Sequence, residues 1–262
     1  VGDVRKVKNF GLMGRGYVSV KLPGRKTFGR PVRFTDSLGI DAIDVDVNEK
    51  GTTVLTWNEP DGRRLVRFRG LRKGWSKPAV IRGADADGGL VSVGPDGTVA
   101  ILGIWGSGLP KVRRLVMTVK RPGRPFSKWF PVSRNPADVG YDSDIVAGTK
   151  GRVTLVFSPP CFSGPISQLR LTHYVDVVGT RASWPRAIGN TKCVTFSIDL
   201  ERDAAGYQYL RIGGSTRDFG TKLSIRRPGQ GFPPAELMNL PEQPANGGDL
   251  TVNSKGQYAL IW

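Results

Sequence analysis

The chain has 262 residues, 39% of them hydrophobic and 23% charged, with 35 Gly and 19 Pro. That composition excludes a collagen, a coiled coil and wholesale disorder, and the length suffices for a domain with its own core. Lys and Arg outnumber Asp and Glu by 39 to 22, a net charge of +17 that attracts polyanions, while no run approaches the ~20 apolar residues of a membrane-spanning helix.

In chain order, the first recognisable segment is YVSVKLPGRKTFGRPVRF, two short apolar runs around Pro23-Gly24 with Phe28 between them. Next come VDVNEKG ending at Gly51, TTVLTW ending at Trp57, and RLVRFRGLRKGWSKPAVI holding Trp75. The same order follows with Gly97, Trp105 and Phe126, then with Gly151, Phe157 and Trp184, then with Gly206, Ile212 and Phe232. The C-terminal segment runs through TVNSKG (Gly256) to QYALIW at Trp262. The turn glycines are 46, 54, 55 and 50 residues apart. Runs of this length, rich in β-branched and aromatic residues and bounded by Gly, Pro, Asn and Asp, predict strands. Pro-Gly at 23–24, 122–123 and 228–229 suits a type II turn, where Pro sets φ and Gly accepts positive φ. No segment has a sustained 3.6-residue apolar period, so almost no helix is expected.

Four strands in about 50 residues is the period of a propeller blade. The chain starts with a third and fourth strand and stops after a second. An open array would leave bare edges at both ends, and a closed ring pairs them. The sequence therefore resembles an all-β, five-bladed β-propeller with four-stranded blades, the last blade closed by N-terminal strands pairing with C-terminal strands. The expected blades are 249–262 with 1–37, then 41–86, 88–138, 143–190 and 193–245, in a single domain over 1–262. The turns ending in Gly-Trp, Gly-Phe or Ser-Trp loosely resemble repeats of sialidase-like and lectin-like secreted bacterial propellers, although the S-x-D-x-G-x-x-W box is absent. Phe28, Trp75, Phe126, Trp184 and Phe232 recur in every blade and are expected in the core.

Propellers commonly bind ligands where strand 1 begins and strand 2 ends, at one mouth of the channel. Seven residues before the turn glycine stand Asp44, Leu90, Asp144 and Asp249; the turn LERDAAG is irregular and its equivalent residue uncertain. Strand 2 ends at Trp57, Trp105 and Trp262, and Glu59 follows Trp57. Carboxylates beside Trp rings suit a sugar, whose hydroxyls donate to carboxylates and whose C–H faces stack on aromatics. Asp44, Asp144, Asp249, Trp57, Trp105, Trp262 and Glu59 are thus the candidate ligand residues. The layout resembles that of five-bladed glycosidases, with Asp44, Asp144 and Asp249 as the catalytic set, although it lacks a clear Glu at an equivalent strand position. The competing expectation is structural: a repeated Asp at a strand end caps amides or pairs with the next blade.

Cys161 and Cys193 fall at the same end of neighbouring blades and are a candidate disulfide, which would imply export. A cleaved signal peptide, and a secreted or cell-surface location, follow from that reading. One histidine, His173, completes neither a zinc set nor a Ser/His/Asp triad, and no metal or cofactor is expected. The basic residues read as a diffuse coat over both ends. The leading expectation is a non-enzymatic exported propeller that binds a glycan or an anionic cell-surface polymer, or acts as a protein scaffold. The alternatives are a glycoside hydrolase with a carboxylate cluster at the mouth, and a charge-driven nucleic-acid binder.

Overall fold

The computed structural model describes residues 16–21, 26–71, 73–83, 86–105, 114–133, 143–158, 169–192, 197–213, 221–238 and 249–261. The protein is an all-β propeller, and no described residue is helical. The first full sheet holds β3 (Asp41–Val47), β4 (Thr53–Asn58), β5 (Arg64–Arg69) and β6 (Ala79–Ile81) in sequence order; it is preceded by a pair, β1 (Tyr17–Val18) and β2 (Val32–Arg33). The second holds β7 (Ala86–Val93), β8 (Val99–Trp105), β9 (Arg114–Lys120) and β10 (Phe130–Pro131). The third has five strands: β11 (Ser143–Ala147), β12 (Arg152–Phe157), β13 (Leu169–Val178), β14 (Arg181–Ala182) and β15 (Arg186–Lys192). The fourth holds β16 (Ser197–Arg202), β17 (Gln208–Gly213), β18 (Lys222–Arg226) and β19 (Glu236–Leu237), and a pair, β20 (Asp249–Val252) and β21 (Tyr258–Ile261), follows. All pairings are antiparallel.

The turn glycines do what the sequence required of them. Gly51, Gly97, Gly151, Gly206 and Gly256 have φ between 73° and 91°, in the left-handed region that costs a side chain free energy. Four of these amides bond to the carbonyl three residues back, at Asn48, Gly94, Asp203 and Asn253. The turn before Gly206 is therefore as regular as the others.

Apolar side chains seal each junction between neighbouring sheets. Val54 and Val66 of the first sheet pack on Val91, Val93 and Ile101 of the second. Leu102, Leu115 and Met117 of the second meet Ile145, Ala147 and Leu155 of the third. Val156 and Tyr174 of the third meet Ile198, Leu200 and Leu210 of the fourth. Val18 and Phe34, beside the N-terminal pair, pack on Leu55 and Trp57 of the first sheet. Tyr258 of the C-terminal pair lies 5.8 Å from Tyr209 of the fourth, ring centre to ring centre. Each such fully buried aliphatic side chain contributes roughly 1.5–3 kcal/mol.

Three expectations change. The third sheet splits its outer strand into β14 and β15, both paired to β13, so it has five strands. Trp184 lies in the link between those two pieces and is 68% exposed rather than in the core; Phe28 is exposed too, whereas Phe232 is buried and Trp75 and Phe126 are partly so. Among the described residues no hydrogen-bonded pairing joins β20–β21 to β1–β2, so the expected pairing of the chain's two ends is not displayed.

Candidate active site

The first strands β3, β7, β11, β16 and β20 line a central cavity of about 330 Å³. Side chains alternate along each strand. Counting back from each turn glycine, the residues at minus six and minus four pack toward the preceding sheet, as Val91, Val93, Ile145 and Ala147 do. Those at minus seven and minus five point the other way. Near the mouth a register shift between Asp41 and Asp44, with Ala42 at φ 46°, kinks β3, and β7 shifts at the matching place between Asp87 and Leu90.

This alternation aims channel carboxylates at the amides of the next sheet. Asp44 accepts the amide of Val45 at 2.8 Å and that of Val91 at 2.6 Å. Asp46 accepts the amides of Val47 at 2.6 Å and Val93 at 2.7 Å. Asp144 does the same with Ile145 at 2.7 Å and Leu200 at 2.7 Å. Between the second and third sheets the hydroxyl of Ser92 takes this role, accepting from the amide of Ala147 at 3.0 Å. First strands at sheet junctions have no ladder partner on that side, and these clips satisfy the exposed amides.

Two acids of the fourth sheet depart from the pattern. Asp199 lies seven residues before Gly206, the equivalent of Asp44 and Asp144. It binds the fully buried Arg211, whose Nε donates to Oδ2 at 2.5 Å while its Nη2 donates to Ser197 Oγ at 2.6 Å. Glu201 lies five residues before Gly206, the equivalent of Asp46 and Ser92, and lines the cavity. Among the described residues its carboxylate takes only the amide of Arg202, with no amide from the following sheet.

Burial raises the pKa of Asp44 and Asp46 despite their amide bonds, and raises that of Asp144 well above the usual range. Burial also raises Asp199, against the pull of Arg211. Glu201 is pushed up to about 7, first by burial and then by the charges of Asp46, Asp249 and Asp199. Asp46 belongs to the first sheet and Asp249 to the C-terminal pair, so the inner strands converge on Glu201 from both directions.

The expected site residues are placed as follows. Asp44 and Asp144 line the cavity as inter-sheet clips. Asp249 is exposed at the start of β20. Trp105 is exposed at the end of β8. Trp57 is fully buried against Phe34, ring centres 5.0 Å apart, and its Nε1 donates to Glu59 Oε1 at 2.6 Å. Glu59 is buried as well and accepts from Thr35 Oγ1 at 2.8 Å. Burial pushes its pKa up, but bonds from Ser37, Trp57 and Thr35 and the charge of Arg63 outweigh that and hold it low. Trp57 and Glu59 thus form a buried, hydrogen-bonded pair. Trp262, Cys161 and Cys193 lie outside the described residues. His173 stacks on Phe157, ring centres 5.8 Å apart. Among the described residues no group of His, Cys, Asp and Glu is arranged to hold a metal ion, and no helix is long and apolar enough to cross a membrane. Sequence reasoning missed Asp199 and Glu201, although counting seven and five back from Gly206 reaches both.

No protein-family model matches the chain, and no curated protein matches it significantly. Solved structures do resemble it. One is the GH93 α-L-arabinofuranosidase of Fusarium graminearum in complex with arabinobiose, at 10% identity and a TM-score of 0.48, covering 75% of this chain and 65% of that one. A second is the α-L-arabinanase of Penicillium chrysogenum, also with arabinobiose, at 12% identity and a TM-score of 0.47, covering 83% and 68%. A third is the polysaccharide lyase Uly1, at 12% identity and a TM-score of 0.48, covering 96% of this chain and 59% of that one. The chain thus spans about two thirds of the first two and less of the third. All three are carbohydrate-active enzymes, at odds with the expectation of a non-enzymatic binding propeller, and the likeness extends to the fold alone.

Proposed function

We propose that the protein is a glycoside hydrolase whose channel holds Glu201 as the general acid, with Asp249 as the second carboxylate. Glycosidic cleavage needs one carboxyl that still carries its proton near neutral pH and another that is ionised. The observation that carries the reading is Glu201 itself. It lines the cavity, is raised to about 7 by burial and by three surrounding carboxylates, and is not tied to the next sheet as Asp44, Asp46 and Asp144 are. A protonated Glu201 can deliver its proton to the leaving oxygen. Asp249 is exposed and its charge is felt by Glu201 and Asp199, so it can meet the opposite side of the sugar.

The reading carries two corollaries. The chain is one propeller domain of five blades, the fifth shared by β20–β21 and β1–β2, since these pairs flank the fourth and first full sheets. Its location is extracellular, where polymeric glycans are met. The test is release of reducing ends from a panel of neutral and acidic polysaccharides. Cleavage by the parent that is lost in both Glu201→Gln and Asp249→Asn supports the assignment. Cleavage that survives Glu201→Gln, or none across the panel, overturns it.

A further inference from the structure

Exposed cations gather at the end of the channel opposite the mouth, where the hairpin turns meet. Lys50, Lys150 and Lys255 each precede the turn glycine of their hairpin, and all three are exposed. Arg121 and Arg124 on the outer turn of the second sheet, and Lys73 on that of the first, are exposed beside them. Among the described residues none of the six cations lies within 4 Å of a carboxylate, and they outnumber Glu49 and Asp96, the acids on the same tips.

The fold holds these cations near one another. Adjacent hairpins are bonded tip to tip: Asn48 Nδ2 donates to the Gly94 carbonyl at 2.8 Å, the Lys150 amide to Asp96 at 2.7 Å and the Ala204 amide to the Ser254 carbonyl at 3.4 Å. Arg121 reaches from the second sheet over the third sheet's hairpin, where a Cβ added to Gly151 would lie 2.8 Å from its Nε. Arg121 and Lys150 therefore share one ridge. Like charges gathered in this way repel one another until a polyanion neutralises them and its counterions are released. The cations sit on separate tips instead of converging, which suits a charge-bearing chain better than a single small anion. Trp184, 68% exposed just past β14, adds a ring that can stack on a sugar face, next to exposed Arg181.

We propose that the hairpin end is a docking face for an acidic polysaccharide, a chain with carboxylates on its sugar rings, on the side of the propeller away from the mouth. A uronate chain offers both groups this face asks for: a negative charge to each cation and a C–H face to Trp184. The proposal does not rest on the assignment of Glu201, although the cavity that holds Glu201 is also lined by the hairpin residues Asn48, Glu49, Pro95 and Ser254.

The experiment uses the full chain and alginate, a polyuronate, as the probe, with arabinan as a neutral chain, mixed phosphatidylcholine–phosphatidylserine vesicles and a short DNA duplex alongside. The parent is expected to bind alginate in a salt-sensitive manner and arabinan without that sensitivity. Combined Lys50→Gln, Arg121→Gln, Lys150→Gln and Lys255→Gln is expected to weaken alginate binding at low salt about ten-fold or more, with the melting temperature unchanged. The charge-keeping set Lys50→Arg, Lys150→Arg and Lys255→Arg is expected to bind as the parent does, which separates lost charge from a damaged fold. The proposal is overturned if the Gln set binds alginate as tightly as the parent, if the Arg set loses binding equally, or if vesicles or duplex are bound more tightly than alginate.

Discussion

At the junction of the third and fourth sheets, Asp144 accepts two backbone amides and fastens β11 to β16. On that adjoining strand β16 lies Glu201, aimed toward the next sheet as Asp144 is, yet among the described residues it accepts only the amide beside it. Both are half-buried carboxylates raised by burial. What separates them is whether an amide of the next sheet meets the side chain. A carboxylate with two amides to hold is part of the frame. One that is desolvated, crowded by like charge and free of the frame is available for proton transfer.

The sharpest way to break this comparison is through activity. Removal of a general acid costs about 10²–10⁴-fold in rate. Glu201→Gln is therefore expected to lower kcat/KM on a cleaved glycan by that much, while circular dichroism and the unfolding transition stay cooperative. A loss of a few-fold only would move the acid role elsewhere in the channel.

Asp144 should respond in the opposite sense. Asp144→Ala leaves the amides of Ile145 and Leu200 without their acceptor, and a buried amide left unpaired costs about 1–3 kcal/mol. Denaturant unfolding should show a lower midpoint with an unchanged slope. If Asp144→Ala unfolds like the parent but cleaves no glycan, then Asp144 belongs to the chemistry and the clip is incidental.

The repeat made most of the frame readable before any coordinates. Turn glycines at regular intervals placed the hairpins, because only residues tolerant of positive φ suit that position, and all five have it. The register of each first strand follows by counting from the glycine, which puts Asp44 and Asp144 on the channel side. Glu201 escaped because its turn opens with Asp203 where the others open with Asn or Gly, although it closes with a bond from the Gly206 amide to the Asp203 carbonyl. The fate of Trp57 and Glu59 was hidden for a different reason. Their burial depends on Thr35 and Phe34, about two dozen residues away in sequence, and strand-end position carries no record of such a contact. Trp184 leaves the core because the third sheet's outer strand is split, a feature without counterpart in the other described sheets.

A third test joins stability to pH at Glu201. Its pKa is about 7 in the folded protein against a reference of 4.5, so between those values the folded state holds a proton that the unfolded state has lost. Stability contributed by this group is therefore full at pH 4 and declines as the pH rises toward about 7. Gln cannot ionise, so Glu201→Gln should be indistinguishable from the parent at pH 4 and more stable at pH 8, by about 1–3 kcal/mol after allowance for the side chain's partial exposure. Melting temperatures of the two proteins across that range would show it. Equal pH profiles would mean that Glu201 is not crowded by Asp46, Asp249 and Asp199.

The smallest expected effect lies at the other end of the molecule, and it tests whether that end is a surface for a partner or only a solvated one. Trp184 is largely exposed, so Trp184→Ala should change unfolding free energy by no more than about 0.5 kcal/mol. An exposed Trp that stacks on a bound sugar should nevertheless matter to binding. Trp184→Ala is therefore expected to weaken alginate binding about two- to five-fold at high salt, where the lysines are screened and stacking carries a larger share. It should leave glycan cleavage in the channel at the parental rate. If alginate binding at high salt is untouched, the hairpin end works through charge alone and Trp184 has no part in it. If cleavage falls instead, the rim and the channel act on the same chain, and the separation between the two ends of the propeller is wrong.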